Sequence, residues 1–293
     1  MAEFTSGLTF IGIYGLSYGT ILFLISVGLV LTMGLVRVVN MAHGVFAAVG
    51  GYAAVELVNM SGVPFALAVT IAVIAVAAAS LVVERIFFRK LYGASELEQA
   101  LLTIGLAFIG IAALNLTFGP DVVGAMLPNA LARNVQFVGR SVQVYRLFVI
   151  VLGLVIMLLL WYVFDRTSFG ARLRASVDNR GMAEAVGINV THLFSLAFAI
   201  GSGLAALGGA IGAAILPLEP MYPMKYLILI LMVVVMSGRG NMKLSAGVSI
   251  FLGLIDTAGR YFYPEIGSFL IFVVLLLYLI VRGNQLLYAP VAK

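Results

Sequence analysis

Residues 4–36 read FTSGLTFIGIYGLSYGTILFLISVGLVLTMGLV, a run of 33 positions without a charged side chain. A helix needs roughly 20 apolar residues to cross the hydrocarbon core of a bilayer, which is about 30 Å thick. Apolar and polar residues do not alternate along the run, as they would in a strand of a membrane β-barrel. The run therefore predicts a membrane-spanning helix. No basic region precedes it, so we expect it to remain as the first span and not to act as a removable signal peptide.

Four further charge-free windows repeat this pattern, at residues 57–83, 99–120, 147–164 and 185–218. Hydrophobic residues make up 63% of the sequence and charged residues 10%, against roughly 45–50% and about 25% in a soluble domain. The composition predicts an all-α integral membrane protein. Its 293 residues are expected to form a single transmembrane domain of about 8–10 membrane-spanning or half-membrane helices.

Nine apolar segments can be drawn along the chain, at residues 7–33, 41–58, 64–83, 99–118, 147–164, 193–215, 226–236, 244–258 and 266–281. If successive segments cross in opposite directions, the basic residues divide unequally between the two sides. Twelve lie on one side, namely Arg37, Arg85, Arg89, Lys90, Arg166, Arg172, Arg174, Arg180, Arg239, Lys243, Arg282 and Lys293. Five lie on the other, namely Arg133, Arg140, Arg146, Lys225 and Arg260. Because positively charged loops favour the cytoplasm, we expect the N-terminus outside and the C-terminus inside.

Two of the nine segments are short for a complete span. At 1.5 Å per residue, 226–236 reaches only about 16 Å and 244–258 about 22 Å. Between them lies SGRGN, residues 237–241. Interrupted backbone at membrane depth is tolerated only where protein buries it or water reaches it. The sequence therefore predicts a helix break here.

A weak internal repeat relates this break to the first half of the chain. NMAHGVFAAVGG from Asn40 and NMKLSAGVSIFLG from Asn241 both begin Asn-Met and continue with Gly-Val and a further glycine. Matching interrupted segments in two halves of a transporter indicate its substrate path. Two glycine-rich loops that are alike by chance are the alternative interpretation.

The first repeat places polar and small residues on one side of a helical wheel. Starting from Asn40, the residues within about 60° of it are His43, Gly44, Ala47, Gly51 and Ala54. A polar group in hydrocarbon needs a partner, so Asn40 and His43 are candidates for a pathway or gate. A helix–helix hydrogen bond, with the small residues allowing close approach, is the alternative.

Two other patterns favour structural roles. A ridge of small residues follows one face of the sixth segment, at Gly201, Ala205, Gly209 and Ala213, and no polar partner accompanies it, so we interpret it as a packing surface. Asp256 and Arg260 share a helical face if their helix continues that far. We interpret them as an ion pair near the outer surface.

The longest polar stretch is DRTSFGARLRASVDNRGMAEAVGINVTH, residues 165–192. It falls on the cytoplasmic side in this scheme, and a short surface helix is expected between Ala171 and Val186. A simple solvated loop is the alternative. The stretch is the largest surface that the chain offers to a cytoplasmic partner.

No catalytic or metal-binding pattern occurs in the sequence. None of the four lysines follows a glycine, so the Gly-Lys core of a P-loop is absent and the chain is not an ATPase of that type. Cysteine is absent, the two histidines are far apart, and no Gly-x-Ser-x-Gly elbow occurs. The basic residues are dispersed among short loops, which favours membrane orientation over nucleic-acid binding.

Several stretches together resemble the permease subunits of bacterial ABC importers for branched-chain amino acids, the LIV type. They are VNMAHGVFAAVGGYAA (39–54), EQALLTIGLAFI (98–109), LNLTFGP (114–120), GARLRASVDNRGMAEAVGIN (170–189), FAIGSGLAALGGAI (198–211) and MVVVMSGRGNMKLSAGV (232–248). The resemblance covers nearly the whole chain.

The resemblance implies a multi-pass inner-membrane subunit that is not itself an enzyme and binds no cofactor. Implied partners are a second permease, identical or different, two cytoplasmic ATPases that bind ATP and Mg, and a periplasmic substrate-binding protein. The stretch 165–192 is similar to the ATPase-coupling region, with candidate residues Arg172, Arg174, Asp178, Glu184 and Gly187. The resemblance also implies a substrate pathway near Asn40, His43, Gly44, Ala47, Gly238 and Asn241.

One departure from the family concerns Val45, because many members have an acidic residue after the Ala-His-Gly triplet. The expected solute is a branched-chain or other amino acid, and the missing carboxylate keeps urea, amides and organic or aromatic acids as alternatives. Two rival functions remain from the residues alone. One is a secondary transporter driven by an ion gradient, with Asp256 as its candidate ion-binding residue, and the other is a membrane scaffold.

Overall fold

The computed structural model describes residues 2–35, 40–91, 94–137, 139–238 and 240–287. The helices are α1 (Ala2–Leu35), α2 (His43–Asn59), α3 (Phe65–Ile86), α4 (Glu96–Phe118), α5 (Asn129–Ala132), α6 (Val144–Arg166), α7 (Ser168–Asp178), α8 (Arg180–Ala185), α9 (Val190–Gly212), α10 (Tyr222–Ser237), α11 (Met242–Phe262) and α12 (Gly267–Leu287). A 3-10 turn covers Phe88–Leu91. Each of the nine predicted apolar segments corresponds to one of these helices, which confirms the polytopic all-α fold.

Six helices in the described part of the chain are long and apolar enough to cross a membrane, and they are α1, α3, α4, α6, α9 and α11. Helix α10 has 16 residues and extends only about 24 Å, so its predicted shortness is confirmed. The predicted shortness of 244–258 is wrong, because α11 continues to Phe262. The ion pair of Asp256 with Arg260, one turn apart, lies in this last part of the helix and favours its continuation.

Helices α1 and α9 lie almost wholly inside the protein, and small residues allow their backbones to meet. Gly28 of α1 faces Gly201 of α9, and a Cβ on Gly28 would overlap the Gly201 carbonyl group. On the other side of α1, a Cβ on Gly19 would lie 2.7 Å from the backbone of Ile250 in α11. In a membrane, where burial drives helix association weakly, such close contact supplies much of the packing energy. The predicted packing role of the ridge in α9 is confirmed.

Helices α3, α4 and α6 form the outer layer and bury less than a third of their apolar windows. Their exposed side chains are large and apolar, as at Leu67, Ile74, Phe108 and Leu154. Lipid offers no hydrogen-bonding groups in its hydrocarbon region, so a spanning protein satisfies its backbone polar groups internally and exposes apolar side chains. The arrangement therefore supports a multi-pass membrane protein.

The loop between α4 and α6 contains the one pair of strands in the described residues. Strands β1 (Asn134–Phe137) and β2 (Arg140–Gln143) form an antiparallel hairpin, which the all-α prediction did not include. The loop also pairs Val123 with Leu218. The α4–α6 loop therefore contacts the connection between α9 and α10.

Members of the two predicted groups of basic residues line different cavities. Arg174 and Lys243 line one cavity, whereas Arg146, Lys225 and Arg260 line another. Arg37, Arg239 and Lys293 lie outside the described residues. After the expected orientation of the chain, we refer below to the first cavity as the inner cavity and to the second as the outer cavity.

Two local predictions need correction. Helix α2 begins at His43, so Asn40 precedes the helix and does not occupy its face as the helical wheel assumed. The expected helix between Ala171 and Val186 is two helices, α7 and α8, separated at Asn179. The Asn179 side chain accepts a hydrogen bond from the Met182 amide at 2.9 Å, because asparagine competes for backbone donors and caps a new helix.

Candidate functional site

The break between α10 and α11 is built by glycine conformation and an asparagine cap. Gly238 and Gly240 have φ angles of 77° and 82°, a region that side chains with a Cβ rarely adopt. The Asn241 Oδ1 atom accepts a hydrogen bond from the Leu244 amide at 3.0 Å and starts α11. The predicted interruption in SGRGN is confirmed, while Arg239 within it lies outside the described residues.

The inner cavity lies beside this break and has a volume of about 440 Å³. Its walls come from α1, α6, α7 and α11, and Asn241 and Arg174 are the two sequence-predicted residues among them. Gly238 belongs to the break but not to the lining of this cavity. The break and the predicted coupling region, 45 or more residues apart in sequence, are therefore neighbours in the fold.

Asp165 connects three helices at the inner cavity. Its carboxylate forms an ion pair with the Lys243 ammonium of α11 at 2.7 Å and lies 4.0 Å from the Arg174 guanidinium of α7. Arg174 also donates to the carbonyl oxygen of Phe164, and Lys243 lies 5.3 Å from the Trp161 ring centroid. These groups are partly exposed, so each pair stabilises the fold only modestly. The arrangement instead ties the end of α6, helix α7 of the predicted coupling region and the start of α11 to one carboxylate.

Asn40 and His43 are buried at the start of α2, each only 1% exposed. The Asn40 Oδ1 atom accepts from the Ala42 amide at 3.0 Å. The His43 Nε2 atom lies 3.0 Å from the Ile25 carbonyl oxygen in α1, and because a carbonyl only accepts, Nε2 is the donor. The helix–helix hydrogen bond that the sequence left as an alternative is therefore present.

Each of these two side chains retains an unused polar atom. Among the described residues, Asn40 Nδ2 and His43 Nδ1 have no hydrogen-bond partner. In the neutral tautomer that donates from Nε2, Nδ1 is an acceptor, while Asn40 Nδ2 is a donor. Buried polar atoms are usually satisfied, so this unpaired donor and acceptor set the start of α2 apart from an ordinary packing contact.

Gly44 and Ala47 contact backbone in this structure and line neither cavity. A Cβ on Gly44 would lie 2.9 Å from the Cα and carbonyl oxygen of Pro223 at the start of α10. A Cβ on Gly209 of α9 would overlap the Ala47 carbonyl oxygen. The small residues of α2 therefore allow α9 and α10 to approach closely.

The coupling candidates divide between two faces of α7 and α8. Leu173 and Ala183 are buried and hold the two helices against the membrane helices. Arg172, Asp178 and Glu184 are exposed, whereas Arg174 turns back to the inner cavity. The structure thus brings Arg174 together with Asn241 and leaves the other coupling residues free to face a partner.

Glu184 and Gly187 lie at the end of α8. Glu184 accepts a hydrogen bond from Arg180 at 2.9 Å, and Gly187, at φ 85°, donates its amide to the Glu184 carbonyl at 3.0 Å. Two apolar side chains flank them in the open, Met182 at 63% exposed and Val186 at 70%. The end of α8 therefore presents apolar as well as charged side chains at its surface.

The outer cavity contains the predicted ion pair. Asp256 is 6% exposed and accepts two hydrogen bonds from Arg260, at 2.8 Å and 3.2 Å. Around the pair lie aromatic residues of α1 and the basic residue Arg146 of α6. The pair was predicted, whereas its position in a cavity was not.

This chain is similar to proteins of a known family. A family described as "Branched-chain amino acid transport system / permease component" matches residues 11–279. The chain belongs to this permease family. The permease is 27% identical to the high-affinity branched-chain amino acid transport system permease protein BraD of Pseudomonas aeruginosa, over 67% of this chain and 68% of the relative.

Two further relatives extend the match. A probable branched-chain amino acid transport permease protein LivH of Methanocaldococcus jannaschii is 27% identical over 84% of this permease and 79% of the relative. The high-affinity LivH of Salmonella typhimurium is 22% identical over 94% of both chains.

A solved structure shares the fold of this permease. It is PsaBC from Streptococcus pneumoniae in complex with Fab, with a TM-score of 0.50, 12% identity and coverage of 97% of this chain and 92% of that one. At this identity the likeness concerns the fold alone.

Sequence reasoning missed Asp165, Lys243 and Arg146 as members of sites. Each lies at a helix end next to an apolar segment, where charged residues are common as interfacial anchors. The sequence does contain a pattern that marks the outer cavity. Its aromatic residues Phe10, Tyr14 and Tyr18 are four residues apart and therefore share one face of α1.

Proposed function

We propose that this permease is a membrane-spanning subunit of an ATP-driven importer that moves a branched-chain or other small amino acid inward by alternating access. The observation that carries the proposal is the family match over residues 11–279. The relatives described above are named as permeases for branched-chain amino acids, and a transporter fold with a cavity at each end suits alternating access.

The importer would also contain a second permease of the same type, two cytoplasmic ATPases and a periplasmic substrate-binding protein. ATP and Mg would bind to the ATPases. We assign the whole chain to a single transmembrane domain in the inner membrane. In the predicted scheme twelve basic residues lie on one side of the membrane and five on the other. Because positively charged loops favour the cytoplasm, this supports a periplasmic N-terminus and a cytoplasmic C-terminus.

The region 165–192 would dock on an ATPase through α7 and α8. Arg172, Asp178 and Glu184 supply exposed charge, and Met182 and Val186 supply exposed apolar surface. Interfaces combine an apolar centre with a polar rim, which is the pattern that this surface offers. Gly187 ends α8 and fixes how that surface is presented.

Movement of the coupling helices would reach the membrane through Asp165. The carboxylate links Arg174 of α7 to Lys243 at the start of α11, and α11 packs along α1 through Gly15 and Gly253. Helices whose backbones are in direct contact tend to move together, because no flexible side chain lies between them to absorb a displacement. A displacement of α7 would therefore move α11 next to the break at Gly238 and Asn241.

The start of α2 would act as a gate that this structure holds closed. Asn40 and His43 are buried, and Gly44 and Ala47 contact α10 and α9 directly. Separation of these helices would expose Asn40 Nδ2 and His43 Nδ1, the two unused polar atoms, to a passing solute.

Reconstitution tests the proposal. The permease is co-purified with its partner subunits, placed in proteoliposomes and supplied with radiolabelled L-leucine and binding protein. Uptake that requires ATP is expected, and uptake driven by an ion gradient without ATP would contradict it. Urea, acetamide and benzoate serve as competitors, because Val45 packs against Gly110 of α4 and adds no negative charge for an ammonium group. Transport of one of these in place of leucine would overturn the amino-acid assignment.

A further inference from the structure

The outer cavity has a volume of about 680 Å³ and lies between α1, α6, α10, α11 and α12. Binding sites for small molecules have volumes of roughly 300–1,000 Å³ and combine apolar walls with a few polar groups. The outer cavity has this size and this mixture. Neither the coupling region nor the start of α2 contributes to it.

Aromatic rings form much of the cavity wall. Phe10, Tyr14 and Tyr18 come from one face of α1, Tyr226 from α10 and Tyr261 from α11. Phe10 and Tyr14 are stacked with their ring centroids 4.0 Å apart. Together with aliphatic residues from α10 and α12, these rings provide a surface for an apolar side chain.

Two of the three basic residues in the cavity already have acidic partners. Lys225 pairs with Glu219 at 2.5 Å, and Arg260 pairs with both oxygens of Asp256. Among the described residues, Asp256 is the one acidic residue in the cavity lining. These charges therefore neutralise one another within the protein.

Arg146 differs from the other two. Its guanidinium carbon lies 3.9 Å from the Tyr14 ring centroid, and its Nη1 atom donates to the Ser17 hydroxyl at 3.1 Å. Within the described part of the chain, no carboxylate oxygen lies within 4.0 Å of its guanidinium nitrogens. A guanidinium has five N–H donors in a rigid fork that fits a carboxylate. The Tyr14 side chain, which also interacts electrostatically with the guanidinium, and the Ser17 hydroxyl hold the fork in place, and these two partners use fewer than its five donors.

We propose that Arg146 binds the carboxylate of the transported solute in the outer cavity, with the apolar part of the solute against the aromatic wall. The inference rests on the proposed function and deepens it, because it names the chemical group that the permease recognises. A charge-assisted, two-point contact is stronger and more selective than a neutral hydrogen bond. The orientation proposed above places this site where solute arrives from the binding protein.

Ligand analogues test the proposal without altering the protein. Binding of radiolabelled L-leucine is measured on the complex of permeases and ATPases in nanodiscs, without the substrate-binding protein, and with leucinamide and isocaproate as competitors. Leucinamide keeps the tail and the ammonium but lacks the carboxylate, whereas isocaproate keeps the tail and the carboxylate. We expect isocaproate to compete and leucinamide to compete at least about tenfold more weakly, the scale of losing a charge-assisted pair. Equal competition by leucinamide would overturn the proposal.

Substitutions at Arg146 test whether this residue makes the contact with the solute carboxylate. Arg146→Gln is expected to weaken leucine binding by about tenfold or more, and Arg146→Lys, which keeps the charge but not the fork, by less. Arg133→Gln is the matched control, since Arg133 is exposed on the loop before β1 and its side chain bonds only to the Ala130 carbonyl among the contacts described. Thermal unfolding of each variant shows whether the fold is intact. Unchanged binding by a folded Arg146→Gln variant would exclude the contact.

The same preparation separates this inference from the proposed function. If the wild-type complex takes up leucine with ATP and Arg146→Gln does so equally well, the carboxylate site is wrong and the transport function stands. If the wild-type complex binds and transports no amino acid, the proposed function fails, and the carboxylate site with it.

Discussion

The carboxylate of Asp165 lies 2.7 Å from the ammonium of Lys243, which joins the end of α6 to the start of α11. Arg174 of α7 completes the group. If α7 docks on an ATPase as proposed, this contact joins the docking region to the helix break at Asn241, and we expect energy coupling to depend on it.

Asp165→Asn should weaken coupling with little effect on folding. An exposed ion pair contributes up to about 1 kcal/mol, which shifts a conformational equilibrium by up to about fivefold. ATP-dependent uptake in proteoliposomes should fall by this order, while the midpoint of thermal unfolding changes little. Asp121→Asn, in an exposed loop, is the control. Lys243→Gln should have a similar or smaller effect, because Asp165 keeps its contact with Arg174, and the double variant should be no worse than Asp165→Asn alone. Additive losses would show that the two residues act separately.

Glu184→Arg should separate ATP hydrolysis from transport. The change reverses the charge on the exposed surface of α8 and breaks the pair with Arg180, so docking of an ATPase should suffer while membrane insertion does not. Uptake and ATPase activity are measured on the same proteoliposomes. Glu265→Arg, exposed after α11, makes the same charge change elsewhere. Full uptake by the Glu184 variant would rule out its coupling role.

Gly44→Leu should block flux, and Gly44→Ala should already destabilise the permease. The added Cβ lies 2.9 Å from Pro223 backbone atoms, which are less free to move than a side chain, so a cost of about 1–3 kcal/mol is expected. Gly105→Ala is the matched control in α4, since a Cβ there meets nothing within 4 Å. Thermal unfolding in detergent compares the two alanine variants. A Gly44 variant as stable and as active as the control would remove this residue from the gate.

His43→Leu should lower the stability by about 1 kcal/mol through loss of the hydrogen bond to Ile25. His43→Gln retains a side-chain donor and should recover part of the loss. If the gate also uses His43 Nδ1, uptake should fall in both variants more than stability does. Parallel effects on uptake and unfolding would indicate a purely structural histidine.

The elements that the sequence predicts well are those with a strong local cause. The charge-free run is a helix as far as Leu35 because nothing else satisfies its backbone in hydrocarbon, and the segment after α10 breaks because Gly238 and Gly240 adopt positive φ. The hairpin Asn134–Phe137 with Arg140–Gln143 was missed because its pattern is short and its strands are mostly exposed. Asn179 was missed as a helix boundary because capping and continuation differ by little in free energy.

The site was predicted less completely than the fold. The sequence marks Asn40 and His43 as polar groups in hydrocarbon, but their partners are backbone groups, the Ala42 amide for Asn40 and the Ile25 carbonyl for His43, which no sequence pattern marks. Arg146 resembles an ordinary helix-end arginine until Tyr14 and Ser17, about 130 positions away, are seen beside it.

The sequence by itself determined that this permease is a polytopic helical membrane protein with interrupted helices, since hydropathy and glycine placement act over a few neighbouring residues. Only the tertiary structure decided that Arg174 of α7 lines the same cavity as the break at Asn241, that the small residues of α2 pack against α9 and α10, and that one arginine in the outer cavity has no acidic partner among the described residues. These features depend on which helices are neighbours. That choice is made by many weak contacts between distant residues, and no single local pattern records it.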